Sequence, residues 1–195
     1  MEKHSFSDFY NNLYGYEQWL SELGYTLRSG NLELPQSEVI VDAEQIASTI
    51  SRLRLVVPTL NEAARRVVYI DPILTALSTA VQSTLYIEYP VSTDTLQGTV
   101  DYLLRKAGHL VVVEAKGADI ERGFAQLTAE LIAVAEVFTS DQPMVYGAIT
   151  TGDLWYFARL HRADKKIDRD LEPYVLPSQT HRVLGALIAM IEPQD

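Results

Sequence analysis

Asp101, Glu114 and Lys116 are the residues of this chain whose types and spacing can do chemistry. Between the first two, Lys106-Ala107-Gly108-His109 reads as a tight turn joining a strand over Thr99–Leu104 to another over Leu110–Lys116. If Arg105 pairs with Leu110 across that turn, Asp101 falls opposite Glu114. Cross-strand neighbours have Cβ atoms about 4.5–5.5 Å apart and share a face. Two carboxylates so placed repel each other unless a cation lies between them. Lys116, two residues beyond Glu114, projects from the same face. Ala115 points the other way, which leaves its backbone carbonyl as a further oxygen ligand. Hard oxygen donors of this kind suit Mg2+ or Mn2+. Such an ion polarises a phosphoryl oxygen and lowers the pKa of a bound water. Lys116 would orient that water or stabilise charge building on the phosphate. A plainer arrangement fits the same residues, a surface hairpin whose Asp and Glu flank Lys116 in a salt bridge.

The surrounding elements decide how such a set would be held. Val111-Val112-Val113 is an unbroken apolar run and marks an interior strand. Charge at the end of that strand is costly unless paired or bound to metal. Asp119 to Phe138 reads as a long helix with Ile120, Phe124, Leu127, Leu131, Val134 and Phe138 along one face. Gln126 falls beside that stripe, either positioning Lys116 or a phosphate, or as an exposed polar residue. Glu62 stands early in a helix over Thr59–Ile70. There it could hold a water or a second metal, or serve a Thr59-x-x-Glu62 capping box and an i, i+4 pair with Arg66. Glu88 is a third acid, on a strand over Leu85–Val91, with its face undetermined. His4, His109, His161 and His181 show no ligand spacing and read as surface residues.

Further along the chain, residues 5–23 read as one amphipathic helix rich in aromatics, with Ser5 or Ser7 as cap and Gly24 as stop. Those aromatics are expected to serve packing or an interface. Residues 25–41 look irregular, and Asp42 opens a helix to about Leu53. Pro72 should kink or restart the helix it enters, with Asp71 capping the new segment to about Val81. Strands over Val145–Thr150 and Leu154–Leu160 and a helix over about Gln179–Ile191 complete the pattern. The order predicts an α/β (α+β) fold: a mixed central sheet of about five strands flanked by helices. Residues 1–54 read as an added N-terminal helical extension to a domain over 55–195.

Composition is ordinary for a globular chain, with 47% hydrophobic and 22% charged residues among 195. The absence of cysteine excludes disulfides and thiolate metal sites. No stretch reaches membrane-span length, and residues 1–25 lack a signal-peptide core, so a cytoplasmic protein without a membrane partner is expected. Sixteen Lys and Arg against 26 Asp and Glu give a net charge of −10, which predicts weak nucleic-acid affinity by this chain alone. Basic groups at Arg52/Arg54, Arg65/Arg66 and Arg105/Lys106, and at Arg162, Lys165, Lys166 and Arg169, read as solvated surface.

The motif positions resemble the PD-(D/E)XK nuclease superfamily, and more closely the N-terminal nuclease domain of type I restriction endonuclease R subunits. The likeness runs over roughly residues 55–160. It rests on Asn61-Glu62-Ala63 through Ile70-Asp71-Pro72-Ile73-Leu74, on Glu88, and on Gly98-Thr99-Val100-Asp101-Tyr102-Leu103-Leu104. It continues through Val113-Glu114-Ala115-Lys116, Gln126-Leu127 and Gly147-Ala148-Ile149-Thr150-Thr151-Gly152-Asp153-Leu154-Trp155. The resemblance implies a restriction-endonuclease-like core with Asp101 and Glu114 on Mg2+ or Mn2+. It makes Lys116 catalytic, Glu62 an auxiliary acid and Gln126 a substrate-positioning residue. The expected activity is hydrolysis of phosphodiester bonds in nucleic acid, DNA before RNA, in a restriction, defence or repair system. Two further readings stand beside it. One is a catalytically silent regulatory or protein-interaction module of the same fold. The other is a subunit whose aromatic N-terminal helix docks a partner or a second copy as a homodimer.

Overall fold

The computed structural model describes residues 3–116 and 119–192; the outer limits of both predicted segments, residues 1 and 195, lie outside the described residues. In chain order the elements are β1 (His4–Ser5), α1 (Phe6–Asn11), α2 (Tyr16–Glu22), β2 (Thr26–Gly30), α3 (Ala43–Val56) and α4 (Glu62–Arg65). A π-helical turn (Arg66–Ile70) leads directly into α5 (Asp71–Val81). Then come β3 (Thr84–Ser92), β4 (Leu96–Lys106), β5 (His109–Ala115), α6 (Ile120–Val137), β6 (Met144–Thr150) and β7 (Leu154–His161). The last elements are β8 (Lys166–Asp170), β9 (Tyr174–Val175) and α7 (Thr180–Ile191).

The central strand is β5. Leu110 and Val112 face one apolar cluster with Phe124, Leu127 and Leu131 of α6. Val111, Val113 and Ala115 face a second, with Leu74 and Leu77 of α5 and Leu184 and Leu187 of α7. A strand covered on both faces has no polar side, which explains the unbroken valine run. The hairpin before it turns at Ala107 (φ 47°) and Gly108 (φ 86°), two left-handed residues that match the twist of paired strands.

Among the described residues the strands form one mixed sheet, ordered β1-β4-β5-β6-β7-β8-β2, with β3 also on β4 and β9 also on β7. The sheet therefore has nine strands rather than about five. The five predicted strands are β3 to β7; the other four lack the apolar pattern that marks a strand. β1 and β9 are two residues each. β8 is Lys-Ile-Asp-Arg-Asp, whose buried charges are met by polar partners rather than apolarity: Asp168 and Arg169 by ion pairs, Asp170 by the N–H groups of Leu32 and Glu172. β2 runs parallel to it, Thr26 to Gly30 against Lys166 to Asp170, and replaces the irregular start expected after residue 25. The N-terminal segment is thus not purely helical: it supplies strands β1 and β2 to the sheet.

Two helix predictions change. The expected single helix over residues 5–23 is broken between Asn12 and Gly15, where Gly15 N–H and Tyr16 N–H both donate to the Asn12 carbonyl. The break lets α1 lie over β4, where the Phe6 ring packs on Gly98 at a distance that a side chain there would close. Ser5 and Asp8 form the capping box of α1, at 3.2 and 2.7 Å. A new helical segment does begin at Asp71, with Pro72 in its first turn and its end at Val81 as expected, but Asp71 does not cap it. The chain instead widens into the π turn, in which Asp71 N–H reaches back to the Arg66 carbonyl. No helix among the described residues is long and apolar enough to cross a membrane.

Candidate metal and phosphate site

β4 and β5 pair from Lys106↔His109 to Tyr102↔Val113, the register predicted from the turn. The ladder stops one step short of Asp101 and Glu114. There the Ala115 N–H donates to Asp101 Oδ2 at 2.8 Å, so the carboxylate takes the place of the next backbone bond. β3 pairs along the other edge of β4 in a register that sets Glu88 opposite Asp101, between the pairs Ile87↔Tyr102 and Tyr89↔Val100. Beyond Asp101, β1 pairs in parallel with Leu96 and Gln97. Three acids thus stand in one row across β3, β4 and β5.

A guanidinium gathers the first two. Arg66 Nη2 lies 2.6 Å from Asp101 Oδ1 and 3.0 Å from Glu62 Oε1, and Nη1 lies 2.6 Å from Glu88 Oε1. Its plane stacks 5.5 Å from the Tyr102 ring centroid. Burial works against its charge, but the hydrogen bond to Glu88 and the charges of Asp101 and Glu62 hold its pKa above the ordinary value. Position follows from backbone: Arg66 opens the π turn, and Glu88 sits at φ 53°, a left-handed conformation unusual for a strand residue. Asn61, not Thr59, caps α4, accepting from Ala64 N–H at 2.8 Å. The capping-box reading of Glu62 falls, and its i, i+4 pair with Arg66 stands.

Glu114 belongs to a second group under α6. It is wholly buried and accepts from Gln126 Nε2 at 2.7 Å and from Lys116 Nζ. The same Gln126 Nε2 donates at 2.8 Å to Glu130 Oε1, one turn on, and Glu130 is wholly buried too. Burial, then the neighbouring charges of Glu130 and Asp101, push the Glu114 carboxyl well above the usual carboxylate range. Burial pushes Glu130 up to about 7. With both ionised, Glu114 Oε2 and Glu130 Oε2 have no partner among the described residues; a single proton between the two carboxyls satisfies both. Lys116 is held as an ammonium: burial opposes the charge, but Glu114 beside it raises its pKa. Its Nζ lies 5.2 Å from the Tyr10 ring centroid on α1, a favourable cation–π distance. Its stem passes Gly123, whose missing side chain leaves that space.

The structure therefore brings together Asp101, Glu114, Lys116, Glu62, Gln126 and Glu88. Gln126 fixes Glu114 rather than Lys116, and is not the exposed polar residue of the plainer reading. Glu62 reaches the row only through Arg66. Ala115 enters through its N–H, bound to Asp101. Three participants were not singled out in the sequence: Arg66, which looked like surface; Glu130, masked as an ordinary helix acid; and Tyr10, placed with the packing aromatics. Glu130 carried a signal, since it falls three residues after Leu127 and four before Val134, inside the apolar stripe. Other readings change with these. The aromatic helix turns inward, with Phe6 and Phe9 buried and Arg122 Nη1 donating to the Tyr10 carbonyl at 3.2 Å. The basic cluster near residue 165 is not simple surface. Arg162 donates to the Phe138 carbonyl at 2.9 Å, Arg169 pairs with Glu121, and Lys166 lies 2.8 Å from Asp168. Of the four histidines only His181 is exposed; His4, for one, stacks on Trp19 with centroids 4.4 Å apart.

In kind, carboxylate oxygens fit a hard divalent ion. In arrangement, no group of three or more His, Cys, Asp or Glu among the described residues is set to hold a metal. The acids of the row are turned onto Arg66 and Lys116 instead. Scanned against models of known families and against curated proteins, the chain matches none.

Proposed function

We propose that this chain is a metal-dependent phosphodiesterase of the PD-(D/E)XK type that hydrolyses nucleic acid, DNA before RNA. The observation carrying it is the row Glu88–Asp101–Glu114 across three adjacent strands, with Lys116 at the end of the last. Nothing in the fold needs a cross-strand carboxylate pair, whose repulsion costs stability. Its retention beside a buried lysine has a reason if the acids are there to bind a cation.

In this reading Asp101, Glu114 and the Ala115 carbonyl hold Mg2+ or Mn2+. The ion, when bound, polarises the phosphoryl oxygen and lowers the pKa of a water. Gln126 keeps Glu114 in one orientation by its hydrogen bond to Oε1. Lys116, charged and steadied by Glu114 and Tyr10, stabilises negative charge on the phosphate. Glu62 sets the position of Arg66. One such site cuts one strand, so double-strand cleavage calls for a second copy or a partner.

A second reading rests on a specific observation. Both oxygens of Asp101 already have protein partners, Arg66 and the Ala115 N–H, and the chain carries a net −10. These favour a catalytically silent module of this fold that serves regulation or protein interaction. The test is to incubate the protein with linear, circular and single-stranded DNA and with RNA, in Mn2+ or Mg2+. Cleavage is expected, and Lys116→Ala and Asp101→Asn should each lower it by at least ~100-fold. Activity surviving both substitutions sinks the site assignment. No cleavage on any substrate, with no Mn2+ heat by calorimetry, supports the silent module.

A further inference from the structure

We propose that Arg66 is the resident cation of this site, and that a divalent ion must displace it from Asp101 to bind. The inference rests on the metal-site reading above and names the residue that controls its loading. Asp101 Oδ2 is committed to the Ala115 N–H at 2.8 Å, so Oδ1 is the oxygen left for a metal. Arg66 Nη2 occupies that oxygen at 2.6 Å. The same guanidinium holds Glu62 and Glu88, so acids from α4, β3 and β4 converge on one cation. The three carboxylates outnumber the one guanidinium, so displacing Arg66 leaves a set of acids that only a cation of higher charge can offset.

Geometry supports exchange rather than permanent structure. The Arg66 side chain is 18% exposed and Glu88 59%, so one side of the group opens to solvent. Arg66 Nε is buried without a partner among the described residues, so the guanidinium is not fixed by its full donor set. Arg66 also begins the π turn, a widened stretch of helix of a kind frequently found at functional sites. A guanidinium and a divalent ion on the same oxygen repel each other. Occupancy by one therefore weakens the other, and loading becomes a competition for Oδ1.

The experiment measures Mn2+ binding by calorimetry and thermal melting, with and without chelator, on wild type, R66A, R66K and D101N. R66A is expected to melt lower than wild type in chelator, because three acids lose their counter-charge. Mn2+ should restore its melting temperature and bind it roughly tenfold or more tightly than wild type. R66K keeps a charge that cannot span three acids, and should fall between the two. Wild-type Mn2+ binding that D101N abolishes but R66A leaves unchanged or weakens overturns the role of Arg66 while the metal site stands. Absence of Mn2+ binding in wild type and R66A alike overturns both. If R66A fails to fold, R66K against wild type decides, with equal affinities overturning the inference.

Discussion

Glu130 is a carboxyl with no solvent around it and another acid beside it, and its cost should be measurable. Its pKa is raised to about 7 by burial. A carboxyl raised in the folded state binds more protons than it does unfolded between its ordinary value and about 7, so stability falls as pH rises through that window. Urea unfolding should show the loss between about pH 5 and pH 7, on the order of 3 kcal/mol. Glu130→Gln, which removes the charge and keeps the shape, should flatten that slope and make the protein more stable than wild type above neutral pH. A slope unchanged by the substitution refutes the assignment. At this scale the sequence was legible where the turn fixes the register: β4 and β5 pair as predicted down to Tyr102↔Val113, one step short of Asp101 and Glu114. It was illegible where a residue's role depends on a neighbour far along the chain. Arg66 meets Glu88 and Asp101 only after β3 and β4 pair, and its adjacency to Arg65 makes it look like solvated surface.

Among elements, α6 sets the site most directly, since it supplies Gln126 and Glu130 and passes Lys116 at Gly123. An added Cβ at Gly123 would lie 2.3 Å from Ile149 Cδ1 and 2.7 Å from Lys116 Cγ. Gly123→Ala gains about 1 kcal/mol of helix propensity, but overpacking of this kind costs about 1–3 kcal/mol. Displacement of Lys116 from Glu114 adds to the cost. The variant should melt below wild type, and its Lys116 should react faster with amine-modifying reagents, as peptide mapping would show. An alanine variant that melts higher and leaves Lys116 protected contradicts the packing described. Helices and core strands were readable because burial imposes periodicity. β2 and β8 were not, because β2 is held by backbone pairing and β8 by backbone pairing and ion pairs. Asp168, for example, is buried among Arg159, His161 and Lys166. The π turn was invisible for a related reason: the RVVYI sequence fits an ordinary helix, and only Asp71 N–H bonding five residues back reveals it.

Across the whole molecule, the excess of acids has a local counterpart. Four basic side chains are spent internally: Arg66 on three carboxylates, Arg162 on the Ala135 and Phe138 carbonyls, Arg169 on Glu121, Lys106 on Glu192. These four side chains therefore add little to attraction of phosphate, which rests on exposed residues such as Arg52, Arg54 and Arg105 and on any cation bound to the site. The net charge was legible from composition. The consumption of individual arginines was not, because it follows from which strands meet.

The pairing of β2 with β8 also sets a schedule. Thr26 meets Lys166, a separation of 166 − 26 = 140 residues, so this edge of the sheet closes only after most of the chain is in place. Contacts this distant in sequence slow folding and tend to form late. Thr26 N–H and the Gly30 carbonyl both bond toward β8, so Arg28, between them, faces the same way, and Arg28→Pro should accelerate unfolding while leaving the refolding rate nearly unchanged, as stopped-flow tryptophan fluorescence would record. During synthesis on a ribosome, β2 would wait with its partner still unmade, and a nascent chain stopped before residue 166 would present that strand's bare edge to whatever lies nearby.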